Sequence, residues 1–334
     1  MSRPPNPAPL VSVVTPVYNG ERYLAECIES VLEQTFENWE YVVVDNQSTD
    51  ATPTIVERYA REDPRIRLHR TDAFRPVIPN WNYALRQMSA ESSYCKVVHA
   101  DDLLMPQCLE RMVALAEEHP SVAIVGAFRL AGDKVDLDDV VPFKTSVVSG
   151  REICRHSLLG GRYIFGSPSS LLLRSSVVRE RERFYSEEHL HADTEACYGV
   201  LRDHDFGFVH QVLSYTRKHD ASITSAVRRQ GTWLPDHTAM LVKHGPTYLS
   251  EEEFERRLRQ MLRRYNRRLA RSTLRGRTFR NAGFVDHHRR MLGQIAEGLD
   301  ALPTKRGLSV QLWRGVLAAS APLAGRSRNG SQPG

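Results

Sequence analysis

Short apolar runs rich in β-branched residues alternate along the chain with longer segments in which apolar residues recur every three or four positions. The short runs predict strands at residues 10–15, 40–44, 65–69, 94–98 and 121–126. The longer segments predict helices at residues 21–34, 52–62, 78–89 and 106–118. Strand and helix in alternation predict a mainly parallel sheet, flanked by helices and joined by right-handed crossovers. The pattern therefore indicates an α/β fold.

This regular alternation weakens from residue 129 to residue 165, where DKVDLDD at 133–139 indicates a loop. Regular patterns then return: a new apolar run at 166–178, helical spacing at 192–202, a β-rich run at 206–216 and mostly helical spacing at 236–300. Residues 326–334 have the composition of a disordered tail. We therefore expect an α/β domain with a C-terminal helical appendage.

Polar motifs follow the first four predicted strands, in the order TPVYNG, DNQSTD, TDAFR and HADD. Ligands of such sheets bind at the carboxyl ends of the strands, so we expect these motifs to meet at one edge. Asp101 and Asp102 stand side by side in HADD. One aspartate could cap the helix that starts near Pro106, but two adjacent carboxylates are better explained by a divalent cation with oxygen ligands.

The charge is unevenly distributed. The net charge is +5, yet residues 251–290 contain 13 arginines, 5 acidic residues and no lysine. Such a block suits an anionic partner such as a membrane surface, and a solvated helical face is the alternative. An apolar stripe at 307–323 fits either an interfacial helix or docking onto the catalytic domain. We expect that any peripheral membrane contact runs through residues 251–325, and we expect no nucleic-acid partner.

Several function classes find no support in the motifs. The five cysteines are scattered, without zinc or disulfide spacing. No GxSxG, HExxH or GxxxxGK[ST] motif occurs, and no GxGxxG follows the first strand. No stretch reaches the roughly 20 apolar residues that span a bilayer. We therefore expect a cytoplasmic protein, with a peripheral position on the inner face of the membrane as the alternative. We expect neither a hydrolase of these types nor a nicotinamide enzyme.

The ordered motifs resemble those of the family-two glycosyltransferases, inverting enzymes that use nucleotide-diphosphate sugars. The resemblance rests on VSVVTPVYNGERYLAECIESVLEQTFENWEYVVVDNQSTDAT at 11–52, KVVHADDLLMPQCL at 96–109, GSPSSLLLR at 166–174 and LHADTEACYGVL at 190–201. It covers roughly residues 10–220 and none of 230–334. It implies a GT-A fold, a Rossmann-like and mainly parallel sheet flanked by helices.

The resemblance also implies roles for the motif residues. HADD takes the place of the family's DXD element, so Asp102 is the expected ligand of Mn²⁺ or Mg²⁺. Asp101 is expected at the ribose or a bridging water, and it is also expected as a metal residue together with Asp102. His99 is expected to be a packed polar residue rather than a ligand. The implied contacts to the nucleotide-diphosphate sugar are Thr15, Pro16, Tyr18, Asn19, Asp45, Asn46, Arg75 and Asp101.

For two of these expected contacts, the resemblance to the family is less direct. Many relatives carry two acids where this chain has Asp45 followed by Asn46, so the nucleotide base stays open. Arg75 lies in a loop that varies within the family, and an ordinary surface arginine is the alternative.

Asp193 matches the position of the family's catalytic base, and Glu195 is the alternative carboxylate. Asp193 could also cap a helix, a role that is compatible with catalysis. The resemblance places Ser167, Pro168 and Ser169 near the acceptor sugar. It places Arg217 and His219 in a loop over the diphosphate.

These expectations combine into one hypothesis, a metal-dependent inverting glycosyltransferase acting on a glycan or lipid-linked acceptor, in surface polysaccharide or lipid-linked glycan synthesis. The expected organisation is a flexible N-terminus at 1–9, the GT-A domain at 10–228, the arginine-rich helical appendage at 229–302, and an amphipathic segment with a disordered tail at 303–334.

A nucleotidyltransferase would need a Gly-rich basic loop after the first strand, which TPVYNGERY does not resemble. A non-catalytic nucleotide-sugar-binding module would be expected to lack the metal or base carboxylates.

Overall fold

The computed structural model describes residues 8–137, 141–219, 222, 231–274 and 282–300. The chain forms two compact units, residues 1–219 and 220–334. Most of the predicted flexible N-terminus and all of the predicted segment at 303–334 lie outside the described residues.

The first unit is built on one sheet, which has ten strands within the described residues. The strands are β1 Val11–Val17, β2 Trp39–Asp45, β3 Ile66–Arg70, β4 Tyr94–Val97, β5 Leu103–Leu104, β6 Val122–Ala131, β7 Lys134–Asp136, β8 Val147–Val148, β9 Leu171–Arg174 and β10 Asp205–Thr216. Their order is β3-β2-β1-β4-β9-β6-β10-β5, with β7 beside β6 and β8 beside β10. Strands β3, β2, β1, β4, β6 and β10 share one direction, so the sheet is mainly parallel.

Helices cover this sheet: α1 Leu24–Leu32, α2 Thr52–Glu62, α3 Val77–Leu85, α4 Cys108–Glu118, α5 Gly150–Leu158, α6 Ser175–Arg179 and α7 Ala192–Val200. Helix α1 shows why they form. Its buried residues Leu24, Cys27, Ile28 and Val31 recur at helical spacing, so one face packs into the core beside β1. The predicted α/β class with a mainly parallel sheet is confirmed.

The stretch from 129 to 165 is more regular than its sequence pattern indicates. Strand β6 runs on to Ala131, and part of the expected loop at 133–139 returns as β7. The turn between them uses Gly132 at φ +66°, and Arg129 pairs with Asp136 at 2.7 Å across the hairpin. Helix α5 was not predicted, since it buries only a few apolar side chains, among them Ile153 and Leu158.

The second unit is helical, as predicted for the C-terminal appendage. It consists of α8 Trp233–Tyr248, α9 Glu251–Leu274 and α10 Ala282–Asp300 within the described residues. Helix α9 buries one apolar face, with Phe254, Leu258 and Met261 among its members. Polar pairs also lie inside: His287 Nε2 is 2.6 Å from Asp236 Oδ1. None of the described helices is long and apolar enough to cross a membrane.

The side chain of Asn82 ties α3 to the segment that leads towards α7. Its Nδ2 donates to Tyr185 O at 2.8 Å, and its Oδ1 accepts from Tyr185 N at 2.9 Å. We expect Asn82→Ala to lower the free energy of unfolding by about 2 kcal/mol, because it leaves two buried backbone groups without partners. Gln87→Ala is the matched control, since the Gln87 side chain, in the turn after α3, donates to Tyr83 O four residues earlier in the chain. Urea denaturation of both variants checks this, and equal losses would contradict it.

Candidate active site

The TPVYNG motif begins within the last residues of β1 and continues into the turn that follows, and only some of its residues are exposed to solvent. Thr15 is fully buried, and its Oγ1 donates to Val98 O at 2.7 Å, while Pro16 is buried within the same strand. Asn19 is exposed at φ 52° and joins two loops, accepting from Thr49 N at 2.9 Å. Tyr18 is 49% exposed. Of the four residues in this motif that were predicted to contact the nucleotide sugar, Tyr18 therefore exposes an aromatic ring to solvent.

A second aromatic ring, which the sequence reasoning missed, lies beside Tyr18. Phe74 is 59% exposed and meets Tyr18 edge to face, with ring centroids 5.1 Å apart. Large exposed aromatic rings lose water readily to a flat ligand. A sequence signal was available, because Phe74 stands in the TDAFR motif next to Arg75.

Asp45 and Asn46, at the end of β2, hold neighbouring loops in place. The buried carboxylate of Asp45 accepts from Ser48 N and from Arg70 Nε, each at 3.1 Å. Asn46 uses both ends of its amide on Arg75, accepting from its N at 2.9 Å and donating to its O at 2.8 Å. An aspartate in that position could not make the second bond, which gives a structural reason for the asparagine.

The guanidinium of Arg75 turns towards its own loop and α3. It donates to Asp72 Oδ1 and to Ala73 O, each at 2.8 Å, and lies 4.2 Å from the centroid of the Tyr83 ring. A donor phosphate or base would have to compete with these partners to engage it.

Asp101 and Asp102 follow β4 and form the most negative part of the site. Asp102 is buried, and its Oδ1 accepts from Arg217 N at 3.2 Å. Burial, together with the negative charge of Asp101, raises the pKa of Asp102 to about 7. The aspartates do not cap α4, whose N-cap residue is Gln107 and has no side-chain cap bond. The capping alternative is therefore excluded, and the carboxylates remain available to a cation.

His99 lies with this carboxylate pair. Ligand atoms of His99, Asp101 and Asp102 lie within 4.8 Å of one another. As expected, the ring of His99 is packed, with its centroid 4.8 Å from that of Trp81. Two oxygen ligands and one imidazole suit a divalent ion, whose charge would offset both the burial and the repulsion from Asp101 that raise the pKa of Asp102.

Arg217 and His219, from the segment after β10, lie against the carboxylates. His219 Nε2 is 2.8 Å from Asp101 Oδ2, and Arg217 Nε donates to Asp101 O at 3.1 Å. Arg217 also pairs with Glu26 at 2.7 Å and lies 4.4 Å from the centroid of the Tyr23 ring. No local signal pointed to Glu26 or Tyr23, because both lie in an ordinary helical pattern far along the chain from Arg217.

Asp193 lies in the first turn of α7, and the N-cap position belongs to His191. Its Oδ1 accepts from Thr194 N at 2.8 Å. Burial raises the pKa of Asp193, and the nearby His99 counts among the groups that act to lower it. Asp193 therefore lies within electrostatic range of His99, and a raised pKa suits a general base.

Two other predicted residues are engaged elsewhere. The carboxylate of Glu195 is buried, with Oε2 3.0 Å from His189 Nε2. Ser169 is fully buried in a turn before β9, where its Oγ accepts from His99 N at 3.1 Å. Ser169 therefore positions the His99 backbone and is not exposed to an acceptor sugar.

The comparisons with known proteins agree with this geometry. A family model described as glycosyl transferase family 2 matches residues 12–179. EpsE of Bacillus subtilis (strain 168), named as a glycosyltransferase, is 30% identical over 247 residues, which are 70% of this chain and 87% of EpsE. The chain belongs to glycosyltransferase family 2. It is an enzyme of glycosyl transfer with the motifs of that family at the carboxyl ends of its parallel strands.

Solved structures share the fold. Staphylococcus aureus TarS residues 1–349 in complex with UDP gives a TM-score of 0.59 at 20% identity, covering 97% of this chain and 94% of that one. The mannosyltransferase PcManGT from Pyrobaculum calidifontis, in complex with GDP-Man and Mn²⁺, gives 0.55 at 16% identity, covering 94% and 80%. At these identities the likeness establishes the GT-A fold of the chain.

Proposed function

We propose that the protein is a metal-dependent inverting glycosyltransferase that moves a sugar from a nucleotide-diphosphate sugar to an acceptor hydroxyl. The observation that carries this proposal is the carboxylate pair Asp101 and Asp102 at the carboxyl end of β4, with the half-buried Asp193 close enough to His99 for their charges to interact. TarS with UDP and PcManGT with GDP-Man and Mn²⁺ support a nucleotide-sugar donor and a divalent ion.

The donor base is proposed to lie against the Tyr18 and Phe74 rings. Their exposure and edge-to-face contact offer an apolar wall beside the loops that follow β1 and β3. Asp45, Asn46 and Asn19 shape these loops through the hydrogen bonds described above. The structures with the same fold include both a UDP complex and a GDP-sugar complex, so the donor titration described below is needed to identify the base.

The chain's residues divide the chemistry of transfer between them. A bound Mn²⁺ or Mg²⁺ supplies positive charge for the leaving diphosphate. Asp101 and Asp102 hold that ion, and Arg217 adds a cationic group beside it. Asp193 removes the proton of the acceptor hydroxyl as that oxygen attacks the anomeric carbon. The attack comes from the face opposite the diphosphate, so the new bond has inverted configuration.

Donor titration by calorimetry tests this proposal. UDP-, GDP-, CDP- and dTDP-sugars are titrated with Mn²⁺, with Mg²⁺ and with chelator. We expect one nucleotide series to bind, with an affinity at least tenfold lower in chelator. Equally tight binding without a divalent ion would support a binding module instead. Release of pyrophosphate from a nucleoside triphosphate and a sugar phosphate would support a nucleotidyltransferase.

The acceptor is proposed to be a surface glycan or lipid-linked glycan, with the enzyme peripheral on the inner face of the membrane. Helix α9 carries exposed Arg263, Arg264, Arg267 and Arg268. At about 100° per residue these four lie within roughly 140° of the helix circumference, away from its buried face. No acidic residue follows Glu255 along this helix. Such a face suits an anionic lipid surface.

Replacing these four arginines with glutamine is expected to weaken binding to vesicles rich in phosphatidylserine by at least tenfold, since each basic residue near such a surface contributes about 1 kcal/mol. The matched control replaces Arg256 and Arg259, which pair with Glu252 and Glu255 on the same helix. Co-sedimentation at two salt concentrations gives the affinities. Equal binding of both variants, or equal binding of the wild type to neutral vesicles, would contradict the membrane proposal.

A further inference from the structure

We propose that His99 is a third protein ligand of the metal site and that its imidazole directs the site towards Mn²⁺ and away from Mg²⁺. This inference rests on the proposed function, because it requires that Asp101 and Asp102 hold a divalent ion. It goes further in assigning a nitrogen ligand and an ion preference to this chain.

Distance supports the assignment. Ligand atoms of His99, Asp101 and Asp102 lie within 4.8 Å of one another. A small divalent ion keeps each ligand at about 2.1 Å, so two ligands on opposite sides of it are about 4.2 Å apart. The three side chains therefore need to close by only about half an ångström to share one ion.

The backbone of His99 is fixed from two sides. Its N donates to Ser169 Oγ at 3.1 Å, and its O accepts from Asp102 N at 2.9 Å. The second bond joins His99 directly to the aspartate that is the expected metal ligand. The ring itself packs against Trp81, with the two ring planes tilted by 34°. A ligand held in this way loses little conformational freedom when an ion binds.

The ring of His99 also has hydrogen-bonding capacity that the protein does not use. Its Nε2 is buried and has no hydrogen-bond partner among the described residues. Burying a polar atom without a partner is unfavourable, and such atoms in native proteins commonly serve a ligand or a bound ion. A purely structural role for the ring, packed against Trp81, does not explain this atom.

The chemistry of the donor set then indicates the ion. Mg²⁺ binds oxygen ligands and keeps several waters, whereas a nitrogen ligand is accepted more readily by first-row transition ions, of which Mn²⁺ binds most weakly. A third carboxylate at position 99 would make the set all oxygen. The imidazole makes it two carboxylates and one nitrogen, which favours Mn²⁺ over Mg²⁺.

Pulsed electron paramagnetic resonance of bound Mn²⁺ tests this directly, because a coordinated imidazole adds a ¹⁴N coupling to the echo signal. The full-length wild type is compared with His99→Asp, and affinities for Mn²⁺ and Mg²⁺ are measured in both, with and without UDP or GDP. We expect the coupling in the wild type and its loss in His99→Asp. We also expect the ratio of the Mg²⁺ to the Mn²⁺ dissociation constant to fall at least tenfold in that variant.

His219→Asn is the matched control, because His219 is the other imidazole in contact with the carboxylate pair. It should keep the ¹⁴N coupling and the preference for Mn²⁺. A coupling that survives in His99→Asp, or that is absent from wild type with one Mn²⁺ bound, overturns the assignment of His99. If no divalent ion binds, or binding is unchanged in Asp102→Asn, the proposed function fails as well, and the two failures are thereby distinguished.

Discussion

Replacing Asp193 with asparagine is expected to lower the rate of sugar transfer by about 10²- to 10⁴-fold, the usual contribution of a general base. Asparagine keeps the shape of the side chain and its acceptor for Thr194 N. It cannot take the proton of the acceptor hydroxyl. The donor contacts lie on other loops, so donor affinity should change by less than about threefold. Initial rates at saturating donor, together with calorimetric donor binding, measure the two effects separately.

Glu195→Gln is the matched control for Asp193, because both carboxylates lie in the first turns of α7. Glu195 is paired with the buried His189, so its loss should affect stability more than transfer. Thermal melting of both variants detects this difference. If Glu195→Gln abolishes transfer in a folded protein while Asp193→Asn remains active, the base is Glu195 and the assignment of Asp193 is wrong.

Replacing Asp102 with asparagine is expected to abolish the dependence of donor binding on the divalent ion and to reduce turnover by at least 10³-fold. The change removes one of the two carboxylates proposed for the ion and leaves an oxygen that can still accept from Arg217 N. Donor affinity should fall to the value that the wild type shows in chelator. Asp101→Asn is the comparison variant, and its smaller loss is expected because the Asp101 carboxylate also contacts His219.

Asp102→Asn should also change the pH dependence of protein stability, which can be measured without substrate. The pKa of Asp102 is raised to about 7 by burial and by Asp101, whereas an unfolded aspartate titrates near 4. The folded chain therefore binds the proton more tightly, so this contribution to stability is present at low pH and is lost as the pH rises from about 4 to about 7. In chelator, Asp102→Asn should remove this slope from the pH dependence of unfolding. An unchanged slope would mean that Asp102 is not the group responsible.

The sequence predicted the elements that local pattern determines. In strands β1 to β4 and helices α1, α2 and α4, apolar residues recur at a clear strand or helix spacing. Turn-forming residues mark where these elements begin and end. The polar motifs after them fall at the carboxyl ends of neighbouring strands, as the parallel topology required. The parts that sequence reasoning missed depend on partners distant in the chain. Strand β9 runs antiparallel between β4 and β6, and no local signal fixes that pairing.

The candidate site shows the same limit at the level of single residues. The aspartate pair could be found because two adjacent carboxylates are unusual. The structural role of Asn46 could not be found from the sequence, because it consists of two hydrogen bonds to the backbone of Arg75. The interaction of Arg217 with Glu26 joins residues almost two hundred positions apart. His99 was expected to be packed, and it is, but its place within the carboxylate cluster is a matter of three-dimensional distance.

The most direct test of the central claim is the anomeric configuration of the sugar released or transferred from an α-linked donor, followed by ¹H NMR from the first minutes of reaction. The donor is the nucleotide sugar selected by titration, with Mn²⁺ present and both water and glycan acceptors supplied. We expect the first product to have the β configuration, to be absent in chelator, and to form at least about 10²-fold more slowly with Asp193→Asn. A first product with the α configuration, or one that forms equally fast in chelator, would contradict a metal-dependent inverting transferase.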